Sequence, residues 1–392
     1  MRRDVELLIL GGGCAGLSLA MRLAQLGHRA PATLILEQRP RYLNDRTWCF
    51  WGGEATPFAQ LAQHQWPVVK VRNADQTVRI DCASTPYRML AAEQFQAVAQ
   101  AALMDAPQLH LQMDTPVLSE PQFHGGRWHL DTAVGQLTAA MVVDTRPLQM
   151  PALGGALLWQ SFYGYEIDCS QTVFEPGCAD LMDFLPANPE RVAFTYVLPI
   201  SKTRALVEFT VFAVAPLAAD DLAAELNAAI AQRVNGAHFT VLRTEHGVLP
   251  MGLDRSASGW AEFKPAYVRV GVSAGAARPA TGYAFQRIQR WAAGCAQAIA
   301  GGGWPIGHVK DPALLWQMDR LFLNLIRRQP ELAPQLFMTL FVRADSQKVI
   351  RFLSDCGSLL DYTSIILALP VKPFLQQLFS AASSGQSLPA GS

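Results

Sequence analysis

The sequence predicts an α/β protein: a doubly wound sheet, an interleaved strand-rich region and a C-terminal helical region. Three observations carry this. An apolar strand at the chain start runs into a glycine turn and a helix. The middle of the chain alternates β-branched and aromatic runs with Pro and Gly. Residues 312–379 then change to apolar side chains at helical spacing. At ~100–200 residues per domain, 392 residues leave room for two or three domains.

Composition narrows the function. Lys+Arg and Asp+Glu both number 32, so the net charge is zero and nucleic-acid binding is not expected. Charged residues make up 16% against roughly 25% in average proteins, and 50% are hydrophobic. That excludes disorder and calls for a large core or a partly apolar surface. The seven cysteines form no CxxC and the eight histidines no HExxH, so neither a disulfide framework nor a metal site is expected. Leu7–Leu10, behind Arg2 and Arg3, is too short for a signal peptide and is preceded by Asp4 and Glu6. No run of ~18 apolar residues suggests a membrane span. The expectation is a cytoplasmic protein, with surface attachment to a membrane left open.

The elements follow in order. Val5–Leu10 reads as a buried parallel strand, Gly11-Gly12-Gly13-Cys14-Ala15-Gly16 fits GxGxxG, and Leu17–Leu26 reads as a helix ended by Gly27. Thr33–Leu36 reads as a second strand, and Glu37 follows the last glycine by about twenty residues, as a Rossmann-type unit requires. Gly11 allows the tight turn, Gly13 lets backbone approach a pyrophosphate, and Gly16 lets the helix pack on the sheet. The helix N-terminus faces the phosphates and Glu37 can accept from ribose hydroxyls. NAD and FAD enzymes both use this unit. Its position at the chain start favours FAD, as does a late strand–glycine–helix segment. That segment runs from Tyr267–Val272 through Gly275, Ala276, Thr281 and Gly282 into a helix expected over Thr281–Ala300.

Asn44–Trp51 is an aromatic segment carrying Asp45 and Arg46. Arg46 either reaches flavin or phosphate or forms a local ion pair. Val68–Val71 and Val78–Ile80 read as short strands, Ala91–Met104 as a helix, and Leu109–Leu111, Trp128–Leu130 and Ala140–Asp144 as strands of the first domain. Residues 158–213 read as a substrate-binding sheet. Within it, Glu208 lies in the apolar strand Ala205–Phe212, on one face with Leu206 and Thr210. Burial there raises a carboxyl pKa and favours the proton-donating form. Glu166 and Asp183 are further candidate acids. Asp220–Val234 reads as a helix capped by Asp220 or Asp221. In the C-terminal region Leu314, Met318, Leu321, Phe322 and Leu325 recur at helical spacing near Arg320, Arg327 and Arg328. This reads as a helical lid packed on the core. The tail from about Ser380 reads as frayed. The expected division is 1–60, 88–157 and 240–304 for the nucleotide domain, 61–87 and 158–239 for the substrate sheet, and 305–392 for the helical region.

The chain resembles the bacterial lycopene β-cyclases, relatives of the hydroxylase-like flavoproteins. The resemblance runs over nearly the whole chain. It rests on the fingerprint with Glu37, Asn44–Trp51, Gln160–Ile167, Leu181–Phe184, Phe194–Pro199, Leu206–Thr210, Gly247–Pro250 and Ala274–Tyr283. Many relatives read Glu-Asp-Thr where this chain has Glu208-Phe209-Thr210. The resemblance implies a Rossmann-type FAD-binding domain of the hydroxylase-like kind with an interleaved substrate domain. It implies closure of lycopene ends into β-ionone rings, an isomerisation that needs reduced FAD with NAD(P)H as electron source. It also implies attachment to the inner membrane: for a substrate that dwells in the bilayer, the C-terminal lid doubles as a membrane-facing entrance. The expected acid/base residues are Glu208, Glu166 and Asp183. Gly11, Gly13, Gly16, Glu37, Arg46, Gly275, Ala276, Thr281 and Gly282 are expected to hold the cofactor. Trp48, Phe50, Trp51, Phe162, Tyr163, Tyr165, Tyr196 and Phe209 are expected along the polyene, where ring faces stabilise a carbocation. Other outcomes are an FAD-dependent monooxygenase, an isoprenoid reductase, or a non-enzymatic flavin-containing carotenoid-binding protein.

Overall fold

The computed structural model describes residues 3–147, 155–253 and 266–376. The Ser/Ala/Gly-rich tail lies outside them.

Three sheets organise the chain. In the first, β1 (Arg3–Leu10) is central, with β2 (Thr33–Leu36) on one side and β11 (Gly135–Asp144) on the other, all parallel. β8 (Leu109–Gln112) extends it beyond β2, and β17 (Tyr267–Arg269) pairs parallel with β11. β10 (Arg127–Thr132) and β9 (Gln122–His124) form an antiparallel flank. β1 is apolar on both faces because both are covered, as a parallel sheet demands. Leu7 and Ile9 pack with α1 (Cys14–Ala24), α2 (Ala92–Met104) and α4 (Phe285–Ala300), while Leu8 and Leu10 pack with Trp128 and Leu130.

The second sheet has the order β16 (Phe239–Met251), β12 (Leu158–Cys169), β15 (Arg204–Ala213), β14 (Val192–Pro199), β13 (Cys178–Phe184), β5 (Val68–Arg72), β6 (Thr77–Asp81). One face is covered by α3 (Ala219–Val234), which buries Leu222, Leu226, Ile230 and Val234 against Val207, Phe209 and Val211. Asp221 caps α3 by accepting the Ala218 N–H at 2.9 Å. β16 differs from the sequence expectation. It was assigned to the nucleotide domain, yet it is hydrogen-bonded along β12.

The third sheet, β3 (Thr47–Trp51), β7 (Tyr87–Ala91) and β4 (His64–Trp66), bridges two cores. Strand alternation sends Trp48 and Phe50 into the core of the first sheet, and Cys49 and Trp51 toward the second.

C-terminal helices close the molecule, among them α5 (Ala313–Arg328), α6 (Ala333–Arg343), α7 (Ser346–Leu353) and α8 (Leu359–Ala368). α5, α6 and α7 pack on the second core through Leu323, Ile326, Leu336 and Ile350, and α8 packs on these helices through Ile365 and Ala368. The buried positions of α5 are Leu315, Asp319, Leu323, Leu325 and Ile326; Leu325 is as expected and the rest of the stripe is rotated. Asp319 takes an inward place because it pairs with the buried Arg278, whose Nε and Nη2 donate to it at 3.1 Å each. α4 begins at Phe285 rather than Thr281. The Thr281 and Gly282 N–H groups bond back to the Arg278 carbonyl, and Gly282 has φ +71°, which a helix cannot continue.

Candidate functional site

The glycine turn divides its work as sequence reasoning assigns it. Gly11 has φ +101°. A Cβ on Gly16 would lie 2.0 Å from the Gly11 carbonyl oxygen, so only glycine allows helix and strand this close. Gly13 faces open space, with no heavy atom within 4 Å of where a Cβ would sit. It precedes an α1 N-terminus with no side-chain cap and no acid in the first turn. Free N–H groups and the positive dipole end there suit an anion. Glu37 is buried, accepting from Gly12 N at 2.9 Å and from Arg39 N and Nε at 3.0 Å. Burial alone would raise its carboxyl pKa, but Arg39 and the Gly12 N–H hold it below the ordinary value. Arg46 pairs with Asp45 at 3.0–3.1 Å, with its side chain 53% exposed. It also acts electrostatically on Cys14, the first residue of α1, whose thiol is otherwise pushed up to about 12 by burial. The local ion pair of the sequence reading is therefore present, beside the turn.

The late loop approaches from the other side. Gly271 and Gly275 both have positive φ, and Ala276 N–H donates to the Gly271 carbonyl. A Cβ on Gly282 would lie 3.0 Å from Gln160 Oε1, a buried acceptor without a partner among the described residues. Asn44 Oδ1 and Gln96 Oε1 are buried and unpartnered in the same way. The Thr281 hydroxyl accepts the Tyr283 N–H at 3.3 Å.

Glu208 sits mid-strand on β15, buried, directly opposite Tyr196 of β14 and Gly164 of β12. Gly164 is in turn opposite Glu245 of β16. The glycine leaves the space that Glu208 occupies: a Cβ at 164 would lie 2.6 Å from Glu208 Cγ. The Glu208 and Glu245 carboxyls interact across this glycine. Burial first, then the charge and hydrogen bond of Glu245, push the Glu208 carboxyl well above the usual carboxylate range; Arg243 opposes this. Arg243 Nη1 and the Thr47 hydroxyl (2.8 Å) both donate to Glu245 Oε2, and Arg243 Nη2 donates to Thr47 Oγ1 at 2.8 Å. Tyr196 donates to the Tyr87 hydroxyl at 2.9 Å, and the Tyr87 and Tyr283 hydroxyls lie 3.3 Å apart. Three phenols thus link Glu208's neighbour to the late loop. The Cys49 thiol lies beside Tyr196 and Tyr87, with its pKa raised by burial.

The other expected acids sit differently. Glu166 is clamped by Arg204 and by Arg243 Nε at 2.5 Å. It joins the ion network behind Glu245. Asp183 pairs with Arg72 and with Arg233 of α3 at 2.8 Å. Register places it with Thr195 and Phe209, so it lies on the α3 face, opposite Glu208.

The expected aromatics split by strand parity. Phe162, Tyr196 and Trp51 lie on the Glu208 side. Phe162 covers Gly247, and Trp51 meets Tyr87 with ring centroids 4.6 Å apart. Tyr163, Tyr165 and Phe209 face α3. Trp48 and Phe50 stack on Phe285 at 5.5 and 5.2 Å. These five are not brought to Glu208. Sequence reasoning also missed Glu245, Arg243, Thr47, Cys49, Tyr87 and Tyr283. Strict alternation along Thr47–Trp51 pointed to Thr47 and Cys49 once Trp51 was chosen. Glu245 was hidden by the assignment of its strand to the other domain.

A family model described as lycopene cyclase protein matches residues 6–379. The chain belongs to the lycopene cyclase family. It is 27% identical over 387 residues to a lycopene β-cyclase of Paracoccus sp. (strain N81106 / MBIC 01143), covering 94% of this chain and 95% of that one. It is 28% identical over 296 residues to the Pantoea ananas lycopene β-cyclase, covering 73% and 72%. The fold of this cyclase-family chain is that of hydroxylase- and reductase-like flavoproteins. A geranylgeranyl bacteriochlorophyll reductase-like protein from Thermoplasma acidophilum aligns with TM-score 0.63 at 12% identity, covering 98% of this chain and 100% of that one. A flavin-dependent brominase aligns with TM-score 0.59 at 12% identity, covering 97% and 100%. Among the described residues, no group of three or more His, Cys, Asp or Glu stands where it could hold a metal, and no helix is long and apolar enough to cross a membrane.

Proposed function

We propose that the chain is a lycopene β-cyclase, an isomerising enzyme that closes linear carotenoid ends into β-ionone rings. The observation that carries the reading is Glu208, a carboxyl buried on an aromatic-lined face beside Glu245, where burial pushes its pKa well above the usual carboxylate range. Cyclisation needs an acid for a terminal double bond, a dry site for the carbocation, and a base for a ring proton. Glu208 serves as both acid and base: it gives one proton to the polyene and takes one from the ring, so the reaction is neutral in protons and electrons. Tyr196, Phe162 and Trp51 present ring faces to the cation, a contact worth up to ~2 kcal/mol or more when desolvated.

The residues present fit FAD. Gly13 offers open backbone at an uncapped helix N-terminus, Glu37 would accept from a ribose, and Asn44, Gln96 and Gln160 hold buried acceptors with no donor among the described residues. Gly11, Gly13, Gly16, Glu37 and Arg46 would hold the nucleotide half, and Gly275, Ala276, Thr281 and Gly282 the flavin side. When bound and reduced by NAD(P)H, FAD supplies negative charge near the cation.

The substrate is a hydrocarbon, and α8 supports collection from a membrane surface. Its outward positions 359, 360, 363, 366 and 367 form one helical stripe, with Leu359, Leu360 and Leu367 70–79% exposed. The cyclase reading thus includes peripheral attachment to the cytoplasmic side of the inner membrane.

Expression in a lycopene-accumulating bacterium tests the function. A shift from red lycopene to yellow-orange β-carotene, lost with Glu208→Gln, is expected. Red pigment retained by cells making folded wild-type protein would contradict it, and stoichiometric NAD(P)H consumption would point to a reductase or monooxygenase.

A further inference from the structure

Glu245 has no part in the acid/base cycle described so far, yet the fold is arranged around it. Three strands bring Glu208, Gly164 and Glu245 into line, and the middle position has no side chain. The two carboxyls therefore meet across the glycine. Two carboxyl groups facing each other in a buried site favour holding one proton between them, because two carboxylates would repel.

The donors around the pair decide which member holds it. Arg243 Nη1 and the Thr47 hydroxyl both point at Glu245 Oε2. Those donors suit a carboxylate, and charge-assisted bonds of this kind are the strong ones. Among the described residues Glu208 receives no comparable donor; Tyr196 opposite it gives its hydroxyl proton to Tyr87. We infer that Glu245 is a positioning residue: an anion fixed by Arg243 and Thr47 that keeps the shared proton on Glu208 and makes the Glu208 carboxylate a strong base once that proton has gone to substrate.

This rests on the cyclase reading and adds the reversal step to it. When Glu208–COOH protonates the terminal double bond, a C–H bond forms and Glu208 becomes a carboxylate. It then faces the Glu245 carboxylate, with Arg243 as the near counter-charge. Removing a proton from the ring cation forms the ring double bond and restores Glu208–COOH. One proton leaves and one returns, and no oxidant or reductant is consumed. The ion network behind the pair is fixed: Arg243 also binds Glu166, which binds Arg204.

The groups facing the pair are Arg243 on β16, Glu166 on β12, Arg204 on β15, Thr47 and Cys49 on β3, Tyr196 on β14, Tyr87 on β7 and Tyr283 in the late loop. His64 on β4 senses Arg204 and Glu166.

Infrared difference spectroscopy of the full-length protein, titrated without substrate, tests this apart from turnover. The wild type is expected to show a protonated-carboxyl band that persists above the usual carboxylate range and is absent in Glu208→Gln. In Glu245→Gln the same band is expected to titrate lower by about 1 pH unit or more, the size of a close like-charge effect. The alkaline limb of product formation should move with it. A wild-type spectrum lacking a band that Glu208→Gln removes overturns the inference, whether or not Glu245→Gln folds. So does a band that Glu245→Gln leaves unmoved, which is the behaviour of a merely structural residue. If the band behaves as stated but lycopene is not cyclised, the pair stands and the cyclase reading falls.

Discussion

Gly164 is the position where geometry makes the sharpest demand. An alanine methyl there would sit 2.6 Å from Glu208 Cγ, 3.3 Å from the Val207 carbonyl oxygen and 3.4 Å from Glu208 Cβ. Ordinary carbon–carbon contact is about 3.5–4.0 Å, so Glu208 must move by about 1 Å. In an open strand, Gly→Ala gains about 0.5–1 kcal/mol through backbone entropy. Overpacking a filled site costs about 1–3 kcal/mol, so the clash wins and the expected net loss is about 1–2 kcal/mol. The functional loss is larger, because a displacement of about 1 Å in a reacting group can cost about 100-fold. Urea unfolding and the rate of β-carotene formation from liposomal lycopene measure the two effects. Gly164→Ala with wild-type turnover and raised stability would refute the reasoning.

Glu208→Gln should abolish most product formation, about 10²–10⁴-fold for a general acid, while stabilising the fold at neutral and alkaline pH. The folded Glu208 pKa lies well above its ordinary 4.5, so its contribution is fully present below 4.5 and is lost as pH rises through the raised folded value. The variant lacks that loss, and its Tm advantage over wild type should grow with pH in thermal melts; a constant offset would contradict the protonation. Tyr163→Phe should leave turnover within about two-fold because Tyr163 faces α3, whereas Tyr196→Phe, opposite Glu208, should lower it by about ten-fold or more, a difference of about 1.4 kcal/mol; equal effects in a product assay would reverse the face assignment. Leu360→Glu with Leu367→Glu should reduce co-flotation with anionic liposomes without changing the melting temperature, since both side chains are more than 75% exposed; unchanged flotation would remove α8 from the membrane contact.

Much of this was legible in the sequence, and the failures share a cause. The glycine turn and Glu37 could be read because their chemistry is local: each residue's task is set by neighbours within one βαβ unit. Glu208 could be read because a lone acid in an apolar strand is conspicuous. The aromatics could not be sorted by composition. Trp48, Phe50, Tyr163, Tyr165 and Phe209 are as aromatic as Trp51, Phe162 and Tyr196, and only the parity of a strand whose two faces are both covered separates them. Glu245 depended on a long-range pairing between β12 and β16, which no local pattern announces. The same holds for Arg278 and Asp319, which join the late loop to α5.

The central claim is that a carboxylic acid starts the reaction by protonating the polyene. A first turnover in heavy water, with enzyme equilibrated so that Glu208 carries deuterium, tests it most directly. Mass spectrometry of the β-carotene should find a single deuterium per ring formed, at the carbon that was protonated. Product without solvent deuterium, or with hydrogen transferred from the nicotinamide, would contradict it.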